Sequence, residues 1–92
     1  MIEERVNVTN RLGLHARAAA LLVRTANGFQ SALRLERLDG SASADAKSIL
    51  SVLMLAAACG TELRLEASGA DEREAANALC QLFACGFGEL EA

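Results

Sequence analysis

Ile2, Val6 and Val8 fall on one parity and Glu3, Arg5 and Asn7 on the other, which predicts a half-buried strand. Gly13 breaks that pattern. From Ala16 to about Asn27, residues Ala19, Ala20, Leu22, Val23 and Ala26 recur at helical spacing, and Gly28 follows where a helix end favours glycine. Leu33 and Leu35 then alternate with Arg34 and Glu36 in a second strand. Asp39-Gly40 is a hairpin-type turn, and Ser41-Ala42-Ser43 reads as a short returning strand. Asp45 has the chemistry of an N-cap for a helix that carries Ile49, Val52, Leu53 and Ala56 on one face and stops before Gly60. Leu63, Leu65 and Ala67 alternate with Glu62, Arg64 and Glu66 in the last strand. Ser68, three residues before Asp71, has the spacing of a capping box. Glu72 and Glu74 suit the positive end of the helix that follows, Ala75, Leu79, Leu82 and Phe83 form its apolar stripe, and Gly86 ends it.

The order is β-α-β-β-α-β-α. An antiparallel sheet of four strands with three helices on one face is the economical way to bury these stripes, which makes the class α+β. Ninety-two residues suffice for a single domain over 1–92. The chain is 52% hydrophobic, but the core must come mainly from Ala, Leu and Val: Phe29, Phe83 and Phe87 are the only aromatics.

That scarcity leaves no stacking platform for bases, and a net charge of −3 without basic runs provides no nucleic-acid footprint. The longest apolar stretch, Ile49 to Cys59, is interrupted by Ser51 and is far shorter than the roughly 20 residues of a membrane span. The acidic start, Met1-Ile2-Glu3-Glu4-Arg5, is unlike a signal peptide. A cytoplasmic protein without a membrane partner is expected. Cys59, Cys80 and Cys85 are odd in number with no CxxC pair, which fits reduced thiols serving as small buried hydrophobes.

The chemistry concentrates at the only histidine, within Asn10-Arg11-Leu12-Gly13-Leu14-His15-Ala16-Arg17. His15 falls where loop becomes helix, beside unpaired backbone N–H groups and the positive end of the helix dipole. Imidazole is a nucleophile near neutral pH, and Arg17 adds donors suited to phosphate oxygens. The plainer alternative is a histidine that only caps the helix beside a solvated arginine. The acid groups Glu3-Glu4 and Asp71-Glu72-Glu74 read as solvated or dipole-matched, not as a catalytic pair. The scattered glycines form no phosphate loop, and Ser48, His15 and Asp45 lack a hydrolase's nucleophile elbow.

Asn10-x-x-Gly13-Leu14-His15-Ala16-Arg17 resembles the active-site motif of the HPr family of phosphocarriers and of its nitrogen-branch relative NPr. Lys47-Ser48-Ile49-Leu50 resembles the family's regulatory-serine segment, and Ser68-Gly69-Ala70-Asp71-Glu72 the start of its final helix. The resemblance runs over almost the whole chain and implies an HPr-like open-faced β-sandwich. It implies that His15 is phosphorylated on the ring nitrogen nearer the backbone and that Arg17 helps hold and release the phosphoryl group. Enzyme I or its nitrogen-branch paralogue would be the donor and an EIIA-type protein the acceptor. The protein would be a monomeric carrier, not a turnover enzyme, without metal or other cofactor. Ser48 has two readings: a serine in the first turn of the second helix that bonds to backbone groups, or, by the resemblance, the site that a dedicated serine kinase modifies in some members of the family. The resemblance further implies that Ile49 and Leu50 belong to a docking patch and that the helix start at Ser48 lies beside the histidine loop. Helical spacing on its own puts at least one of Ile49 and Leu50 in the core. One departure is Ala18, where the family usually has Pro.

Two other readings compete. One is a regulatory binding module of the same fold, switched by phosphorylation of His15 or Ser48. The other is a small ligand- or RNA-binding domain of ferredoxin-like order, which the lack of aromatics and basic runs disfavours. Sugar and nitrogen branches stay open, since only the Leu53-Met54-Leu55 run and the acidic tail are loosely NPr-like.

Overall fold

The computed structural model describes residues 1–89. The chain runs β1 (Ile2–Asn7), α1 (Ala16–Ala26), β2 (Ala32–Arg37), β3 (Ser43–Asp45), α2 (Ile49–Met54), β4 (Glu62–Ser68) and α3 (Glu72–Ala84), closed by a short turn at Gly86–Gly88. The order read from periodicity is the order observed. All strand pairs are antiparallel, in the sheet order β1-β4-β2-β3.

Register follows the apolar parity. Val6 pairs with Leu63, and Leu35 lies between Leu65 and Ala44, so one face of the sheet is continuously apolar and carries the helices. The other face shows crossed charges, with Arg34 near Glu66 at 3.5 Å and Arg64 near Glu36 at 3.3 Å. These are exposed pairs, each worth about 0–1 kcal/mol. Against the apolar face α1 buries Ala18, Ala19, Leu22 and Ala26, and α3 buries Ala75, Ala76, Leu79 and Phe83. Among the described residues no helix is long and apolar enough to cross a membrane.

Four local expectations are corrected. β3 starts at Ser43, two residues later than the Ser41 expected of the returning strand. Asp45 ends that strand and does not cap a helix: its Oδ1 accepts from the Lys47 N–H at 2.9 Å in a tight side-chain turn. Ser48 is the N-cap instead, and α2 stops at Met54 because Ala56 turns into the left-handed region at φ 51. Cys59 and Cys85 are exposed, and only Cys80 is part-buried, where burial raises its thiol pKa.

The fourth correction concerns the start of α3. Ser68 remains in β4, and Glu72 reaches back to accept from the Gly69 N–H at 3.1 Å. Asp71 turns the other way. Its carboxylate accepts from the Gln30 and Ser31 N–H groups at 2.9 Å and from the Ser31 hydroxyl at 2.5 Å, pinning the α1–β2 connection to α3. Gly69 is required at this junction, since a Cβ would stand 2.7 Å from the Ser31 backbone.

The Ser31 hydroxyl and then the Gln30 N–H hold the Asp71 carboxyl at about 2, below its ordinary 3.8. A lowered folded-state pKa stabilises fully above the unfolded value and is lost as pH falls. The urea midpoint should therefore drop between about pH 4 and pH 2. Asp71→Asn should be less stable at neutral pH and show a shallower acid decline. Equal declines in the two proteins would mean that the Asp71 charge adds nothing to the fold.

Candidate functional site

The segment between β1 and α1 is built onto the connection between α2 and β4. Leu14 donates its N–H to the Ala57 carbonyl at 2.9 Å, and the Leu14 side chain is buried. Gly13 lies so close to that connection that a Cβ would stand 2.6 Å from the Ala57 oxygen, and its φ of +68 also favours glycine. The platform is held from below by Arg37, which donates to the Leu55 and Ala56 carbonyls at 3.1 and 3.4 Å.

His15 is the N-cap of α1, with φ −78 and ψ 178, and its carbonyl accepts from the Ala19 N–H at 2.8 Å. The backbone N–H groups of Ala16, Arg17 and Ala18 point out of the helix without an intrahelical acceptor. His15 therefore caps the helix through its backbone alone, and its side chain makes no capping bond. The ring is 25% exposed. On one side it lines a shallow apolar recess with Leu12, Leu14 and Ala56–Ala58. On the other side of the loop, Arg11, Leu12, Arg17, Gly88 and Glu89 line a polar cleft.

Sequence reasoning missed Glu89 as the partner of this histidine and Asn10 as the residue that holds Glu89. The Glu89 Oε2 lies 2.6 Å from His15 Nε2, and its Oε1 accepts from Asn10 Nδ2 at 3.0 Å. Asn10 is fully buried and donates also to the Gly13 carbonyl at 2.8 Å, while its own oxygen has no partner among the described residues. Two acceptors around the nitrogen fix the orientation of the amide. The Asn10 amide, above all, holds the Glu89 carboxyl below the usual carboxylate range. Partial desolvation opposes it, and the His15 bond and the Arg17 charge reinforce it. Among the described residues no protein group bonds to His15 Nδ1, which leaves that nitrogen open. The arrangement offers an imidazole nitrogen, free helix-end donors and a guanidinium for an anion.

Residues 2–84 match the family described as the PTS HPr component phosphorylation site. The chain belongs to the HPr family of phosphocarrier proteins. It is 45% identical over 91 residues to the phosphocarrier protein HPr of Cupriavidus necator, covering 99% of this chain and all of the relative. The phosphocarrier protein NPr of Proteus mirabilis is likewise 45% identical, over 92% of this chain and 93% of its own. The crystal structure of HPr from Thermoanaerobacter tengcongensis superposes with a TM-score of 0.92 at 40% identity, over 99% of this chain and all of the other.

The other residues expected at the site from the sequence lie at different distances from His15. Arg17 follows in the first turn and is exposed, and Ala18 is buried with its N–H free of the helix ladder. Ser48 is not beside the histidine loop as expected. Asn27, at the C-terminal end of α1, bonds the Lys47 carbonyl at 3.2 Å, whereas Leu14 bonds Ala57 at the opposite end. The two helices therefore run antiparallel, and Ser48 lies by the C-terminal end of α1, whereas His15 is at its N-terminal end. Ile49 and Leu50 are both exposed, at 42% and 66%, against the expectation that one enters the core. A helix of six residues buries Val52 alone, so Ile49, Leu50, Leu53 and Met54 form an exposed apolar strip that runs from Ser48 toward the histidine.

Gly13→Ala tests the loop platform. The left-handed backbone alone costs a residue with a Cβ about 1–2 kcal/mol, and the contact with Ala57 adds to it. Urea unfolding should show a loss of at least that size, and a stability within error of wild type would place the loop away from Ala57.

Proposed function

We propose that this chain accepts a phosphoryl group on His15 from phosphorylated enzyme I, or its nitrogen-branch paralogue, and passes it to an EIIA-type protein. The observation that carries this reading is the free Nδ1 of a part-exposed histidine at the N-terminus of α1, where three unpaired N–H groups and Arg17 can receive an anion. Phosphoryl transfer depends chiefly on in-line positioning and charge stabilisation, so a small carrier needs no metal or nucleotide of its own. Arg17 would neutralise the arriving phosphoryl oxygens while leaving the attacking nitrogen clear. The protein is consumed and regenerated by its partners, in the cytoplasm, and is not a turnover enzyme.

The apolar strip of Ile49, Leu50, Leu53 and Met54 supports docking of both partners next to the histidine. It also suits the second reading, a regulatory module that binds target proteins through α2. Ser48 would then be the switch. Its hydroxyl accepts from the Ser51 N–H at 3.4 Å, a weak capping bond that a phosphate or carboxylate can replace.

With a cognate enzyme I and phosphoenolpyruvate, the protein should gain one acid-labile phosphate and His15→Ala none. Full labelling of His15→Ala would remove the histidine from the mechanism. Ser48→Asp should fold normally, since Asp is as good an N-cap. It should require more enzyme I for half-maximal phosphorylation, because the charge enters the docking strip and not the chemistry at the opposite end of α1. Superimposable rate curves for Ser48→Asp and wild type would leave Ser48 a structural cap only.

A further inference from the structure

The partner of His15 is delivered by an uncommon backbone. Gly86, Phe87 and Gly88 follow one another at φ 60, 56 and 76, all in the left-handed region. Glycine adopts that region freely and phenylalanine does not. Phe87 is kept there by burial, with its ring edge-on to Phe83 at 5.0 Å between centroids. The turn reverses the chain after α3 and lays Glu89 over the histidine loop, where its side chain is only 17% exposed.

Each Glu89 oxygen faces a nitrogen. Oε1 accepts from the Asn10 amide, whose other hydrogen is committed to the Gly13 carbonyl, and Oε2 lies 2.6 Å from His15 Nε2. An ionised carboxylate accepts on both oxygens, whereas an amide in its place would set a donor against one of the two donors. A carboxylate at Nε2 also decides which ring nitrogen carries the hydrogen, since a carboxylate has none to give.

We propose that Glu89 is a positioning residue for phosphoryl transfer, holding the hydrogen on Nε2 through the whole cycle so that Nδ1 always faces the partner with its lone pair. This rests on the carrier function proposed above. On charging, the Nδ1 lone pair forms the N–P bond as the donor's bond to phosphorus breaks and its electron pair returns to the donor. The ring becomes a phosphorylated imidazolium that keeps its Nε2–H, and the carboxylate faces the new positive charge. On discharge the N–P bond breaks toward the acceptor, the electron pair returns to Nδ1, and neutral imidazole leaves with Nε2–H in place. No proton enters or leaves the ring in either direction. Without Glu89, part of the population carries the hydrogen on Nδ1, where it blocks attack, and the charged ring loses its counter-ion.

The test uses full-length wild type, Glu89→Gln and Glu89→Ala, with folding checked by circular dichroism. Nitrogen-15 imidazole spectra of the neutral ring, at about pH 9, read the tautomer directly. Wild type should show the Nε2–H form alone, and both variants a measurable Nδ1–H population. At saturating phosphorylated enzyme I, the rate of His15 phosphorylation should fall about tenfold in the variants, the scale of a lost charge-assisted bond, with the half-saturating concentration unchanged. A structural role alone would move neither reading, and the near-isosteric Gln covers the case in which Ala unfolds. Unchanged spectra in the variants overturn the proposal, and so does an altered tautomer with an unchanged saturating rate. If wild type takes no phosphate from any enzyme I, the carrier reading falls by itself, while the spectra, which need no partner, still decide whether Glu89 holds the ring hydrogen.

Discussion

One face of a four-stranded sheet has to be kept from water by helices of 11, 6 and 13 residues. So little helix can cover so much strand only by lying close to it. Alanine makes that approach possible: Ala19, Ala26, Ala75 and Ala76 are wholly buried where α1 and α3 meet the Leu- and Val-rich face. The larger side chains, Leu22, Leu79 and Phe83, fill the spaces between them. A bulky residue at one of the alanines would lift a whole helix, and in a small domain the loss would reach every strand beneath it.

The same closeness sets the site. α1 must begin at the sheet edge, so the loop that enters it has to cross the end of α2, and Gly13 and Leu14 dock there on Ala57. α2 is cut short by the left-handed Ala56, whose carbonyl and that of Leu55 are taken up by Arg37 from β2. The histidine therefore rests on a platform assembled from strand, helix end and loop. Its backbone is fixed by that packing, and the Glu89 carboxylate meets the ring at Nε2.

Strands, both long helices and the histidine motif were legible because their signals are local. Parity marks Val6, Leu35 and Leu65, and helical spacing marks Leu22 and Leu79. Asp45 misled because an acidic residue before a helix can equally close a turn on its own backbone, and the distinction lies in two dihedral angles. Asp71 misled in the same way, since its partners Gln30 and Ser31 are some 40 positions away. Glu89 meets His15 across 74 positions, and nothing local in Gly86-Phe87-Gly88-Glu89 announces where the turn aims it. The exposed Ile49 and Leu50 were misjudged because periodicity reports a shared face without saying whether anything covers it.

The strip along α2 consists of Ile, Leu and Met, while Phe83 and Phe87 are buried in the core and Phe29 packs against it. Tight interfaces draw most of their energy from a few aromatic or arginine anchors seated in pockets of the partner. This surface presents no aromatic anchor, and the thioether of Met54 adapts to differently shaped grooves. A face of this kind favours short encounters, which is what the carrier role proposed above would require of a molecule loaded by one protein and emptied by another.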